Sequence, residues 1–250
     1  MARHALTDHL WHQLQETMIQ HGCYQTENNR AVMEAILWKL RTGAPWRDIP
    51  QEWCPWKTAY NRFNRWAKQG IMGEFFFSLR KEADTEWVFI DASYIRCHQH
   101  AIGARRGEDR SIGHSRGGTT TKIHLSCDAD GYPLDFKITG GEVHDSQVAG
   151  ELIEMIGQAD YLIADKAYDS GLIRDQARRY GMIPVIPNRA NAKQPDLDFD
   201  RYLYKLRHLV ENLFARLKQF RSIATRYEKL ARNFKSMLYL ACTIIHCKIN

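Results

Sequence analysis

Two apolar runs, Trp87–Ile90 (WVFI) and Tyr161–Ala164 (YLIA), are each followed at once by an aspartate, Asp91 and Asp165. Four residues are too few for a core helix, and their unbroken apolar character suits strands covered on both faces. The expected strands end at Asp91 and just before Asp165. Between them, residues 122–141 (KIHLSCDADGYPLDFKITGG) form two alternating runs around DADG, a hairpin signal. Residues 145–156 and 170–180 have helical patterning, MIPVIP suits one more short strand, and residues 201–221 and 228–247 read as helices. A hairpin followed by β–α alternation makes this an α/β chain, a mixed sheet flanked by helices.

The first third is different. Residues 7–21 read as a helix capped by Thr7 or Asp8, residues 30–41 as a second ended by Gly43, and residues 56–68 as a third. The third carries Lys57, Asn61, Arg62, Asn64, Arg65 and Lys68. Helix, tight turn, then basic helix is the pattern of a helix-turn-helix DNA reader, and a plain three-helix bundle fits the same letters. The expected organisation is a small all-α domain over residues 1–83 and a sheet domain over 84–250. The element order of the sheet domain matches an RNase H-like core.

Charge separates along the chain. Residues 87–200 hold 13 Lys and Arg against 17 Asp and Glu, whereas residues 201–250 hold 11 against 2. An acidic middle can house carboxylate chemistry, and a basic tail suits a polyanion such as nucleic acid. Residues 94–121 lack an apolar period and are rich in arginine, histidine and glycine, as a phosphate-seeking loop would be. No apolar run is long enough to span a membrane and the opening residues do not form a signal peptide, so an intracellular protein is expected. The six cysteines show no metal-finger spacing; Cys242, His246 and Cys247 read as part of an apolar helix rather than a zinc site.

The stretch Arg201–Arg221 (RYLYKLRHLVENLFARLKQFR) reads as one amphipathic helix. Leu203, Leu206, Leu209, Val210, Leu213, Phe214, Leu217 and Phe220 form its apolar face. Tyr204, Arg207, Glu211 and Lys218 share an arc of about 60° beside that face. Alone, this is a solvated edge with an Arg–Glu pair, and Asp165 alone could cap the turn KAYDS. If the two aspartate strands are neighbours, however, both carboxylates meet at one edge and the late helix can bring Glu211 to them. Three such anions call for hard divalent cations, and two ions would serve phosphoryl transfer, with Asp91 as the bridging ligand.

The spacing Tyr204-x2-Arg207-x3-Glu211-x6-Lys218 resembles the acidic signature of DDE transposases of bacterial insertion sequences, closest to the group named after insertion sequence five. TGAPWRDIP, WKTAYNRFNRW, VFIDASYIRCHQH, SRGGTTTKIHL and LIADKAYDS extend the resemblance over most of the chain. It implies an RNase H-like catalytic domain behind a helical DNA-binding domain. It implies Asp91, Asp165 and Glu211 as catalytic ligands of two Mg²⁺ ions, with Mn²⁺ as a substitute. The partners implied are double-stranded DNA, as terminal inverted repeats and as target, and a second copy of the chain, in the bacterial cytoplasm at the nucleoid. Tyr204, Arg207, Lys218, Lys57, Arg62, Arg65, Arg105, Arg106, Arg116 and Lys122 are the expected DNA contacts. His144, Asp145 and Lys166 also fall in matching segments, though His144 and Asp145 equally suit a helix cap. Two departures stand out. His114 occupies a position that is often Arg, and the 46-residue interval from Asp165 to Glu211 leaves no room for a large β insertion. An RNase H-like nuclease that hydrolyses without joining, and a non-catalytic DNA-binding regulator, are the alternative readings.

Overall fold

The chain divides into two compact units, and a computed structural model describes residues 5–80, 82–103, 109–190 and 199–247. The first unit takes residues 1–81, 97–110 and 217–250. Its helices are α1 (Asp8–Gln20), α2 (Asn29–Thr42), α3 (Trp56–Gln69) and α4 (Ile71–Leu79). Thr7 caps α1, its hydroxyl accepting the Leu10 N–H at 3.2 Å. Gly43 ends α2 with φ 68°, a left-handed conformation that glycine adopts without a Cβ penalty, and its N–H donates to the Lys39 carbonyl. The closing helix Ala231–His246 packs on α3 and α4, burying Phe234, Met237, Leu238 and Ala241.

The expected tight turn between α2 and α3 is not there. Residues 43–55 join them through a short 3₁₀ turn, Trp46–Asp48, and the Trp46 ring lies 5.1 Å from Phe63 and 5.6 Å from Tyr60. A helix-turn-helix joins its helices by only three or four residues. Here the tryptophan-rich connection folds back onto α3, burying Ile49 and Cys54 and leaving Trp46 and Trp53 half-buried.

The second unit comprises residues 82–96 and 111–216. Strand β1 (Trp87–Cys97) begins in it, followed by β2 (Gly113–Ser115), β3 (Gly118–Cys127), β4 (Pro133–Gly140), α5 (Asp145–Ile156), β5 (Tyr161–Ala164), α6 (Gly171–Arg179), β6 (Ile183–Val185), α7 (Arg201–Lys205) and α8 (His208–Gln219), whose last turn crosses into the first unit. The sheet runs β2–β3–β1–β5–β6, with β4 also pairing β3. β1 and β3 are antiparallel; β1, β5 and β6 are parallel. Val88, Ile90, Leu162 and Ala164 face a fully buried layer made by Val148, Leu152, Ile153, Ile173 and Ala177 of α5 and α6. This is the mixed sheet flanked by helices that the alternation predicts, preceded by a helical region. Among the described residues, no helix is long and apolar enough to cross a membrane.

Two sequence expectations are corrected. β1 does not stop at Asp91. Its pairing with β5 ends at Ile90↔Ala164, but its pairing with β3 continues to Arg96↔Thr120 and keeps the strand extended. The stretch Arg201–Arg221 is not one helix either. Leu206, Arg207 and Leu209 donate to the carbonyls three residues back, and this tighter winding separates α7 from α8. The apolar face survives the break, because Leu203, Val210, Leu213, Phe214 and Leu217 are all buried.

Candidate active site

Asp91 is the first residue past the β1–β5 ladder, and Asp165 directly follows β5. Paired strands lie about 4.8 Å apart, so the two aspartates stand side by side at the same level of the sheet. Asp165 caps the turn Lys166–Tyr168, its carboxylate accepting the Ala167 N–H at 2.7 Å. Asp91 accepts the Ala92 N–H at 2.8 Å and the Arg207 guanidinium at 2.9 Å. The same guanidinium reaches Glu211 one turn later in α8. Arg207 therefore ties the strand carboxylate to the helix carboxylate. The Asp91 and Arg207 side chains are only 18% and 19% exposed, whereas Glu211 is 53% exposed.

The electrostatics follow. Burial pushes the Asp91 carboxyl above its usual range, the neighbouring Asp165 charge adds to this, and the Ala92 N–H and Arg207 oppose it. Burial works against the Arg207 cation, but Asp91 and Glu211 outweigh it and hold the guanidinium above its ordinary value. Among the described residues no three acidic, imidazole or thiol groups are grouped so as to hold a metal ion, and Glu211 is engaged by Arg207. The donor set is carboxylate oxygen throughout and its negative charge is only partly neutralised, which fits a hard divalent cation.

Further along β1, where Tyr94 pairs with Lys122, lies a polar network that single-residue motifs do not disclose. Lys122 of β3 donates to the Val143 carbonyl at 2.7 Å and to Asp145 at 3.0 Å, and sits 4.5 Å from the Tyr94 ring centroid. Lys122 was expected to contact DNA; it is corrected here to a buried lysine, because its amine is consumed by these partners. Asp145, at the start of α5, is that lysine's counter-ion, and His144 caps the helix, accepting the Ser146 N–H. Tyr168 is fully buried, and its hydroxyl has no hydrogen-bond partner among the described residues. Burial, and the charges of Asp145, Asp91 and Asp165, push its phenol well above the ordinary range. The letters KAYDS carry no signal for this, since the phenol's neighbours come from three separate elements.

His124 is fully buried beside Lys122 and bonds Thr139 at 2.9 Å. Burial pushes its pKa down to about 4. Between that value and the ordinary value near 6.5, the unfolded chain takes up a proton that the folded chain refuses. Stability is therefore complete above about pH 6.5 and is lost as pH falls toward 4, with a slope approaching about 1.4 kcal/mol per pH unit. Urea midpoints at pH 7 and pH 5 should show this loss, and His124→Gln should flatten it.

The other expected DNA contacts scatter. Lys57 and Arg65 are exposed on α3. Arg62 is half-buried and donates to Thr26 and Asn29 at the start of α2. Tyr204 is half-buried with its ring 5.3 Å from Phe199, and Lys166 and Lys218 are exposed. Arg116 and His114 are exposed and line a cleft with Tyr94 and Arg96. Arg105 and Arg106 lie outside the described residues.

Comparison with known proteins adds a family context. Residues 82–245 match the family model described as "Transposase DDE domain". Residues 6–76 match "Putative transposase of IS4/5 family (DUF4096)". An uncharacterised protein of Sinorhizobium fredii is 42% identical over 81 residues, 32% of this chain and 65% of the relative, just under two thirds of its length. "Putative transposase for insertion sequence element IS6501" of Brucella ovis is 37% identical over 130 residues, 50% of this chain and 97% of the relative. Among solved structures, a piggyBac transposase synaptic complex with hairpin DNA superposes with a TM-score of 0.53 at 10% identity, covering 97% of this chain and 73% of the other. That likeness concerns the fold alone.

Proposed function

Since this chain belongs to the DDE transposase family of insertion sequences, we propose that it binds the terminal inverted repeats of its element, cleaves the DNA there and joins the free 3′ ends to target DNA. Asp91, Asp165 and Glu211 are the residues that hold Mg²⁺, or Mn²⁺ in its place. The bound ions supply charge stabilisation for in-line displacement at phosphorus. Glu211 must leave Arg207 to join the two aspartates, and the freed guanidinium is then available to a DNA phosphate. In cleavage a water oxygen bonds to phosphorus as the strand's 3′ oxygen leaves. In joining, that 3′ hydroxyl attacks a target phosphate and the target's own 3′ oxygen leaves. Two ends must be held for one insertion, so the working form is a dimer on DNA.

The observation that supports this reading is the placement of Asp91 and Asp165, each one residue past the last paired residues of two parallel strands, with Glu211 linked to Asp91 through one arginine. The test uses a pre-cut element end bearing a free 3′ hydroxyl, a supercoiled plasmid and Mg²⁺ or Mn²⁺. The expected product is the end covalently joined to the plasmid. Hydrolysis with no joining under either ion would replace the proposal with a nuclease. No cutting and no joining would replace it with a DNA-binding regulator.

A further inference from the structure

A second site lies on the sheet unit, apart from the acids. Tyr94, Arg96, His114, Ser115, Arg116 and Thr120 line a cleft of about 870 Å³ with Glu142 at its rim. Tyr94 and Arg96 share one face of β1, and Asp91, an odd number of residues away, leaves the opposite face. The cleft therefore belongs to the same strand as the candidate catalytic carboxylate but not to its pocket.

Its construction is specific. Tyr94 is 51% exposed, yet its ring is fixed from behind by the Lys122 ammonium, itself anchored on Val143 and Asp145. The ring is thus held by the ammonium while half of the residue stays open to solvent. Gly117 and Gly141 also line the cleft, and the Glu142 carboxylate lies close against the backbone of Gly113 and Gly140. A Cβ on Gly113 or Gly140 would collide with the Glu142 carboxylate, and a Cβ on Gly141 with the Thr120 hydroxyl. Arg96 and Arg116 are exposed and form no ion pair with any described residue. A fixed aromatic platform beside two uncommitted guanidiniums matches a base together with its flanking phosphates.

We propose that this cleft holds an unpaired nucleotide of a DNA strand, its base stacked on Tyr94 and its phosphates on Arg96 and Arg116, with Glu142 available to accept from a base N–H. The proposal rests on the reading of the chain as a DNA-acting protein and extends it to a single-stranded segment. Because Asp91 leaves the opposite face of β1 from Tyr94 and Arg96, and none of the three acids lines the cleft, the two can be tested separately.

The test measures fluorescence anisotropy of a labelled (dT)8 oligonucleotide with the full chain in EDTA at low salt. Tyr94→Ala should weaken binding about tenfold, and Tyr94→Phe should bind within about twofold of the unsubstituted chain. Arg96→Gln and Arg116→Gln should each lower the salt slope by about one. An abasic octamer should bind the unsubstituted chain about as poorly as (dT)8 binds Tyr94→Ala, a comparison that needs no variant to fold. Equal affinity for the abasic and the normal octamer, or no loss in Tyr94→Ala, overturns the proposal. Asp91→Asn should bind (dT)8 normally. If the chain proves unable to cut or join DNA while this Tyr94-dependent binding persists, the transposase reading falls and the cleft stands. If cutting persists and the binding does not depend on Tyr94, the reverse holds.

Discussion

Asp91→Asn is expected to lower DNA-end cleavage by on the order of a thousandfold or more, equivalent to about 4 kcal/mol of transition-state stabilisation, while the protein still folds and binds its ends. The substitution is nearly isosteric. The asparagine oxygen can still accept the Ala92 N–H, and β1 remains paired to β3 on one side and β5 on the other. What disappears is the charge. Asp91 is the more deeply held of the two linked carboxylates, and burial together with Asp165 makes its ionised form costly. A cation placed beside Asp165 would relieve that cost, and an amide offers it far less. Asp165→Asn and Glu211→Gln should fall in the same way, because each removes one ligand from a set of three. Folding is checked by circular dichroism, end binding by gel shift and cleavage by denaturing gel with Mn²⁺. A folded Asp91→Asn that cuts at the unsubstituted rate would sink the metal assignment.

The parts of this site that could be read from the letters were the local ones. Two four-residue apolar runs ending beside aspartates specify two buried strands, and the structure makes them parallel neighbours. The apolar positions of residues 203–217 are buried as their spacing requires. What could not be read depends on partners distant in the chain. β1 runs on to Cys97 because β3 supplies a second ladder, which nothing in residues 92–97 announces. Lys122 looks like a phosphate ligand in SRGGTTTKIHL, but Asp145, twenty-three residues later, claims it. The helix Ala231–His246 follows the site in sequence but packs on α3 and α4, so the helical unit is assembled from both ends of the chain. Arg207 sits at the helix break, where a wheel drawn through Tyr204 and Glu211 no longer applies.

That arginine carries the second large effect. Arg207 is the only described cation paired to Asp91, and it also engages Glu211. Arg207→Gln leaves Asp91 buried beside Asp165 without its counter-charge. Removing one member of a largely buried pair is strongly destabilising, and partial exposure of this one brings the expected cost to about 2 kcal/mol in EDTA. Two cations compete for the same carboxylates in the unsubstituted protein, since a divalent ion must displace the guanidinium from them. Without the guanidinium that competition ends. Mn²⁺ should therefore raise the melting temperature of Arg207→Gln by more than it raises that of the unsubstituted chain, and titration calorimetry should show tighter Mn²⁺ binding. Cleavage should still fall, because the same guanidinium is the proposed phosphate contact once Glu211 has left it. A variant that is as stable as the parent in EDTA and gains nothing extra from Mn²⁺ would mean that Arg207 is a surface ion pair and that the metal binds elsewhere. Lower stability, stronger metal response and lost cleavage in one substitution is a combination that a merely structural arginine would not produce.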